Sequence, residues 1–388
     1  MSASVKIFHS GMPGAPVLSG TPGSLIGVLD ACLVNGWGSQ TVDSIVISGG
    51  IATVTRGAGH PFEVDAVAEI SGATVTGGVI NGQRKVLSAN STSYTFDATG
   101  IANQTATGTP SHKLAAAGWG KPFSDTNLAA YRSADVTSTR FFLRVNDSNN
   151  YSARVNGFET MSDVNSGTGR FPTVALQTDG ELFWVRSNSA DATARNWIVV
   201  ANERFMYWMA SQQPGMSNYS ASGMFGDFLR VGSNDVFNCI IHGFQNEAAF
   251  NGTGSRSDEF DSRANPAICS AREYFGLGGA AWTRSFYPTF IGATSGYRSG
   301  ENSSDHIAFP NDLDGSVYLS PWNLCTTTAP GAFRGRIPGL FAFPQRVGTT
   351  GFPSFSRISG VVGYPGKRFI TVTSGSGAYA FDVTGPWA

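Results

Sequence analysis

"HPFEVDAVAEISGATVTGGVINGQRKVLSANSTSYTFDATG", residues 60 to 100, is the stretch on which the fold turns. Its runs "AVAEISG", "QRKVLSA" and "SYTFDATG" alternate apolar and polar residues, and each leaves through a turn signal. Alternation with a period of two marks a strand with one buried face. The glycines, with Arg84 and Lys85, have a competing reading as a phosphate cradle. Asn81-Gly82 and the glycine run are better explained as turn residues that take positive φ between short strands. Arg84 and Lys85 then lie in a strand, where alternation sends at least one toward solvent or a neighbouring subunit. Both are expected interface residues, and Asp97 is placed to cap a turn.

Upstream, "SIVISGG" and "IATVTRG" complete five strand-like runs between residues 43 and 112, at roughly ten-residue spacing. Such a series predicts a small closed or nearly closed β-barrel rather than an open meander. Before it, "GSLIGVLDACLVNG" places Leu25, Ile26, Val28, Leu29, Cys32 and Leu33 at helical spacing. Ser24 is the expected N-cap and Asn35-Gly36 the left-handed stop of one amphipathic helix of about three turns. The lead-in "HSGMPGAPVLSGTPG" reads as an extended arm, packed on its own domain or reaching a neighbour.

Beyond "KLAAAGWGKPFS" the strand runs are longer and more aromatic, as in "RFFLRVND", "ELFWVRS", "MFGDFLRV" and "DVFNCIIHGF". Phe and Trp pack well on pleated surfaces, so this region predicts a two-sheet sandwich with long loops. "NWIVVANERFMYWMA" predicts a hairpin turning at Ala201-Asn202-Glu203. Residues 245 to 310 are loop-rich, and loops of such length are commonly functional or contact partners. Near the end, "AYAFDVTG" echoes "SYTFDATG", each a strand leaving through an Asp-x-Thr-Gly turn. The expected organisation is mainly β: an arm plus amphipathic helix (1–42), a small β-barrel (43–112), and a β-sandwich domain (113–388) with loops inserted around 245–310.

Charged residues make up only 14% of the 388, against 48 glycines and 12% aromatics, and the formal net charge is −1. No global basic field draws the chain to nucleic acid or an acidic membrane, and neither is an expected partner. A surface with few charges does little to keep copies apart, which favours a subunit covered by neighbours. Cys32, Cys239, Cys269 and Cys325 are widely spaced without a metal-ligand rhythm, so free buried thiols are expected, with one disulfide left open. No secretory leader is evident, and no apolar run approaches the roughly 18 residues needed to span a bilayer. Synthesis in the cytoplasm is the corresponding expectation.

A search for chemistry finds no G-x-S-x-G elbow and no H-E-x-x-H, and the five histidines stand apart. "GYPGKR" lacks the glycine and hydroxyl of a phosphate loop and reads as a hairpin turn. Asp258, Glu259 and Asp261 form an acidic knot, with Asp312 and Asp314 in a second loop; neither has the spacing of a calcium loop. The first three remain candidate ligand-loop residues. Trp184, Trp197, Trp208 and Tyr207 suit a sugar-stacking platform, but alternating aromatics in strands are more often core or interface. In "RGRIPGLFAFPQ", Arg334 and Arg336 suit a bidentate contact with a neighbouring carboxylate and are expected interface residues. No catalytic residue, cofactor or metal ligand is assigned, and an enzyme is not expected.

Residues 60 to 100 also resemble a small β-barrel module common in bacteriophage virion proteins. The likeness rests on His60-Pro61-Phe62, Val64, Ala66-Val67, Ile70-Ser71-Gly72-Ala73, Ile80-Asn81-Gly82, Val86-Leu87 and Tyr94-Thr95-Phe96. The sequence departs from the module at Pro61 and Asp65, where Gly-Leu and Gly are commoner. "VLDACLVNGWG", "AAAGWGKPFS", "RGRIPGLF" and "FDVTGPW" resemble structural proteins of tailed phages over most of the chain. The resemblance implies a virion component of tail, baseplate or neck, with copies of itself and other virion proteins as partners and no catalytic residues. Alternatives are a capsid decoration protein or an adhesin for host-surface glycan, with a polysaccharide depolymerase ranked last.

Overall fold

In the computed structural model, Ile45, Ile47, Ala52, Val54, Tyr94 and Phe96 are buried, while Val46 between the first two is 41% exposed. This one-sided burial is what curls the N-terminal strands around a core. The structure describes residues 5–245, 260, 266–273, 278–289, 299, 306–327, 331–374 and 377–387. The five expected runs are the strands Ser44–Ser48, Ile51–Thr55, Val67–Thr74, Gly82–Ala89 and Ser93–Asp97. A sixth element, Gln104–Thr105 continuing as Thr107–Leu114, pairs with Val67–Thr74 on one side. On its other side it pairs with Trp37–Thr41 and Ser44–Ser48, so the array returns on itself. Sequence reading missed this strand because Gly108 and Pro110 interrupt its alternation.

The expected helix spans Ser24–Leu29 and continues as a π-helical turn, Asp30–Asn35, before Gly36 at φ 68°. Ser24 is not its cap. Gly23 occupies that position at φ 82°, and Ser24 Oγ donates backward to the Ser19 carbonyl at 2.8 Å. The free N–H groups of Leu25 and Ile26 instead donate to Asp147 Oδ2, at 2.9 and 3.3 Å. Asp147 is buried and ion-paired with Arg186. A carboxylate more than a hundred residues away thus does what the local serine was expected to do. The arm packs on its own chain, where Lys6–His9 pairs antiparallel with Ile198–Ala201.

The larger region is a sandwich of antiparallel sheets. Trp197–Ala201 and Phe205–Ala210 form the expected hairpin, turned by Asn202, whose Oδ1 accepts from the N–H groups of Arg204 and Phe205. With Ala221–Asp227, Cys239–Phe244 and Pro266–Ser270 they make a central sheet. Trp197, Val199, Met206, Trp208, Phe225 and Ile241 face one core, shared with the helix and the strands between Trp119 and Val185. Ile198, Val200, Tyr207, Met209 and Ile240 face the other. That second core is closed by Phe333–Ala342, Arg368–Ser374 and Gly377–Asp382. The sandwich therefore has a middle sheet covered on both faces. "RGRIPGLF", singled out as a contact segment, is part of the ten-residue strand Phe333–Ala342.

Candidate binding surfaces

The barrel loop His60–Ala66 carries Asp65 in the left-handed region, at φ 70°. Glycine takes that conformation freely, and aspartate pays a strain of roughly 1 kcal/mol or more for it. Its side chain is fully buried between two arginines of the sandwich, Arg368 Nη2 at 2.5 Å and Arg357 Nε at 3.4 Å. Arg357 Nη2 also donates to the Val64 carbonyl at 2.8 Å and lies 3.6 Å from Glu63. His9 Nε2 is 3.2 Å from the same Glu63 carboxylate, and these neighbours, His9 foremost, hold that carboxyl below its usual range. The barrel is thus fastened to the sandwich by a chain of ion pairs. Asp65 is one of the two places where the sequence departs from the phage-type module.

Lys85 belongs to the same junction. Its Nζ donates to the carbonyls of Val5 at 2.9 Å and Val383 at 2.8 Å, and burial brings its ammonium down to about 8. Arg84 turns the other way. Its guanidinium donates to the carbonyls of Ile80, Val79 and Asn81 and stands 5.8 Å from the Phe96 ring, holding the turn that enters its own strand. Adjacent residues of one strand thus serve a domain junction and a turn.

Arg334 and Arg336, two apart in a strand, should share a face. A register shift opposite Leu324 and Cys325 breaks that alternation. Arg334 is 1% exposed and grips Asp235 with both arms of its fork, at 2.9 and 3.0 Å, with Arg272 O at 3.1 Å and the Phe228 ring 5.0 Å away. The bidentate carboxylate contact exists, and its partner is in the same chain. Arg336 is exposed beside a cleft of about 240 Å³.

That cleft lies where the chain's last residues fold back. Trp387 packs over Gly339, whose φ of 65° and missing Cβ are both required: a Cβ there would stand 2.1 Å from the indole nitrogen. The indole N–H donates to Asp382 O at 2.8 Å. Asp382 Oδ1 accepts from Thr384 N at 2.8 Å, and its Oδ2 pairs with Lys367 at 2.9 Å. Phe341 and Tyr364 form an edge-to-face wall at 4.9 Å. Burial raises the Tyr364 phenol, and the nearby Arg336 charge opposes that rise. A second cleft of about 400 Å³ shares Leu229 and Trp387 with the first and is bordered by Arg204, Asp227 and Arg230.

No protein-family model matches this chain, and no curated protein matches it. Among solved structures it aligns with one named Phage phi92 endosialidase, at 12% identity and a TM-score of 0.17 over 89% of this chain. The chain spans about half the length of that structure, 52%. A TM-score of this size does not show a shared fold, and nothing of that protein's activity is transferred.

The remaining candidates are placed as follows. Asp258, Glu259 and Asp261 lie outside the described residues. Asp314 accepts from Asn311 Nδ2 at 2.6 Å and Ser316 N at 2.9 Å, so it closes its own turn. Trp184, Trp197, Trp208 and Tyr207 are core residues with no face open to a sugar. The four cysteines are free thiols. Among the described residues no group of three or more His, Cys, Asp or Glu converges as a metal site requires. The 240 Å³ cleft itself was missed by sequence reading, because it joins residues up to 158 positions apart, from Leu229 to Trp387. Its one legible part was the Asp-x-Thr-Gly turn, and both copies of it are capped as expected, Asp97 accepting from Thr99 N at 2.9 Å.

Proposed function

We propose that this chain is a structural subunit of a tailed-bacteriophage particle, seated in the tail, baseplate or neck and acting through contacts with copies of itself and other virion proteins. One observation carries the reading. The residues that resemble the phage module are the working parts of the barrel: Phe62, Ile70, Ile80, Val86, Tyr94 and Phe96 fill its core. Asn81 binds both backbone groups of Ala73, at 3.1 and 2.8 Å, and so closes a turn. The outer surface of the barrel leaves Val46, Ile51, Val79 and Leu87 exposed. Apolar side chains of this kind suit burial against a partner, at about 800 Å² per side for a stable contact. Synthesis in the bacterial cytoplasm and residence in the virion follow from this reading.

Mass spectrometry of purified particles tests it, with antibody labelling to place the chain. Its presence at fixed stoichiometry is expected; its consistent absence from particles ends the proposal. The clefts beside Trp387 favour a second reading, in which the exposed part of the subunit binds host-surface glycan. Under that reading labelling falls at fibre tips or on the head surface, and glycan binding is lost when cleft residues are changed.

A further inference from the structure

Arg336 is a cation in want of an anion. It is exposed, makes no ion pair among the described residues, and borders the 240 Å³ cleft. Three features define what the cleft accepts. The first is charge: Arg336 and Lys367 stand against the single carboxylate of Asp382. Lys367 is committed to that carboxylate at 2.9 Å, so the unspent charge is that of Arg336, whose fork suits a carboxylate. The second is the wall, where Phe341, Tyr364 and Trp387 offer aromatic surface. The third is length. The neighbouring 400 Å³ cleft repeats the pattern, with Arg204 and Arg230 against Asp227, though Arg204 also reaches Asp135 at 3.7 Å.

We propose that the two clefts form one groove for an acidic oligosaccharide, with a carboxylate of one sugar held by Arg336 and the ring face laid against the aromatic wall. A sugar acid combines the chemistries the groove offers: a planar anion for guanidinium, C–H faces for aromatic rings, and hydroxyls for the Lys367–Asp382 pair. Inorganic phosphate lacks the apolar face, and a neutral glycan leaves Arg336 without a partner. The 240 Å³ cleft holds a single sugar-sized unit, below the roughly 300 Å³ at which sites for drug-sized ligands begin, so the second cleft is needed for a chain. The inference deepens the glycan-binding reading and rests on the groove, whatever the position of the subunit in a particle.

The test uses the full-length chain on an array of acidic and neutral glycans, then calorimetry with an oligogalacturonide, the matching neutral maltooligosaccharide and an oligoglutamate peptide. Acidic glycans should bind and weaken with added salt, and the neutral sugar and the peptide should not bind. Arg336→Gln should weaken binding tenfold or more, about the value of a charge-assisted hydrogen bond, and Arg336→Glu should abolish it. Both variants should unfold at the wild-type midpoint, because the side chain is exposed. Tyr364→Phe keeps the wall and should retain most of the affinity. The proposal is overturned if no acidic glycan binds, if neutral sugars or the peptide bind as well, or if Arg336→Glu leaves affinity unchanged. None of these results bears on whether the chain is found in particles, which is tested separately.

Discussion

The barrel and the middle sheet of the sandwich are built on the same alternation, and they differ in how many faces it buries. In the barrel, Ile45 and Ile47 point inward while Val46 is exposed. In the middle sheet, Val199 serves one core and its neighbours Ile198 and Val200 the other. A strand covered on both faces has no side on which an error is harmless. It also loses the apolar–polar rhythm by which strands are recognised.

The largest effect should therefore come from a residue at the middle sheet. Trp184 is fully buried, and its indole N–H donates to the His242 carbonyl at 2.7 Å. Trp184→Ala should cost about 3–5 kcal/mol in urea unfolding, from the cavity that the indole leaves in the core. A loss below about 1 kcal/mol would mean that this layer repacks freely, and the contrast with the barrel would fail.

A pH titration separates the two regions. Inside the barrel, His112 Nδ1 and the Tyr94 hydroxyl share a 3.0 Å hydrogen bond, and Phe62 stands edge-on at 4.9 Å. Burial, helped by the His60 and Arg56 charges, lowers His112 from 6.5 to about 4. The folded barrel thus keeps the imidazole neutral while the unfolded chain takes up a proton. The His112 contribution to stability is fully present above about pH 6.5 and is lost as pH drops toward 4, by up to about 3 kcal/mol. Unfolding followed from pH 7 to 4 should show this loss, and His112→Gln should flatten it. An unchanged slope in the variant would remove His112 as the cause.

The junction comes next in size. Asp65→Ala removes the anion between Arg357 and Arg368, which are partly exposed and regain water, so the loss should be about 2 kcal/mol rather than the 3–5 kcal/mol of a wholly buried pair. Asp65→Gly makes the same deletion but relieves the positive φ, and should be about 1 kcal/mol more stable than the alanine variant. Small-angle scattering of both should show a looser barrel. Equal stability of the two variants would mean that the backbone at Asp65 carries no strain.

These features also mark what the sequence could reveal. The five barrel strands, the 197–210 hairpin and the Asp-x-Thr-Gly caps depend on residues close in the chain, and their spacing shows them. Thr107–Leu114 was hidden by Gly108 and Pro110, and Phe333–Ala342 by the arginines and glycines that drew a functional reading. The Asp147 cap and the Asp65 junction were illegible for a different reason. Each joins a carboxylate to partners distant in sequence, and nothing local in Asp147 names Leu25. The cleft combines both obstacles: Arg336 was noted as a cation, but only the fold brings Tyr364, Asp382 and Trp387 to it.

The smallest effect is the sharpest check on the comparison. Val46 lies on the outer face of the barrel, paired with Thr53 on one side and Thr105 on the other. A threonine there joins two others on an open face, keeps the β-branched shape and has water for its hydroxyl. Val46→Thr should change stability by no more than about 0.5 kcal/mol. The same substitution at Val199 places a hydroxyl in a closed core and should rank with Asp65→Ala. Should Val46→Thr prove as damaging as Val199→Thr, the barrel's outer face is covered in solution, and the most direct cover is a second copy of the chain, which a concentration-dependent mass by light scattering would reveal.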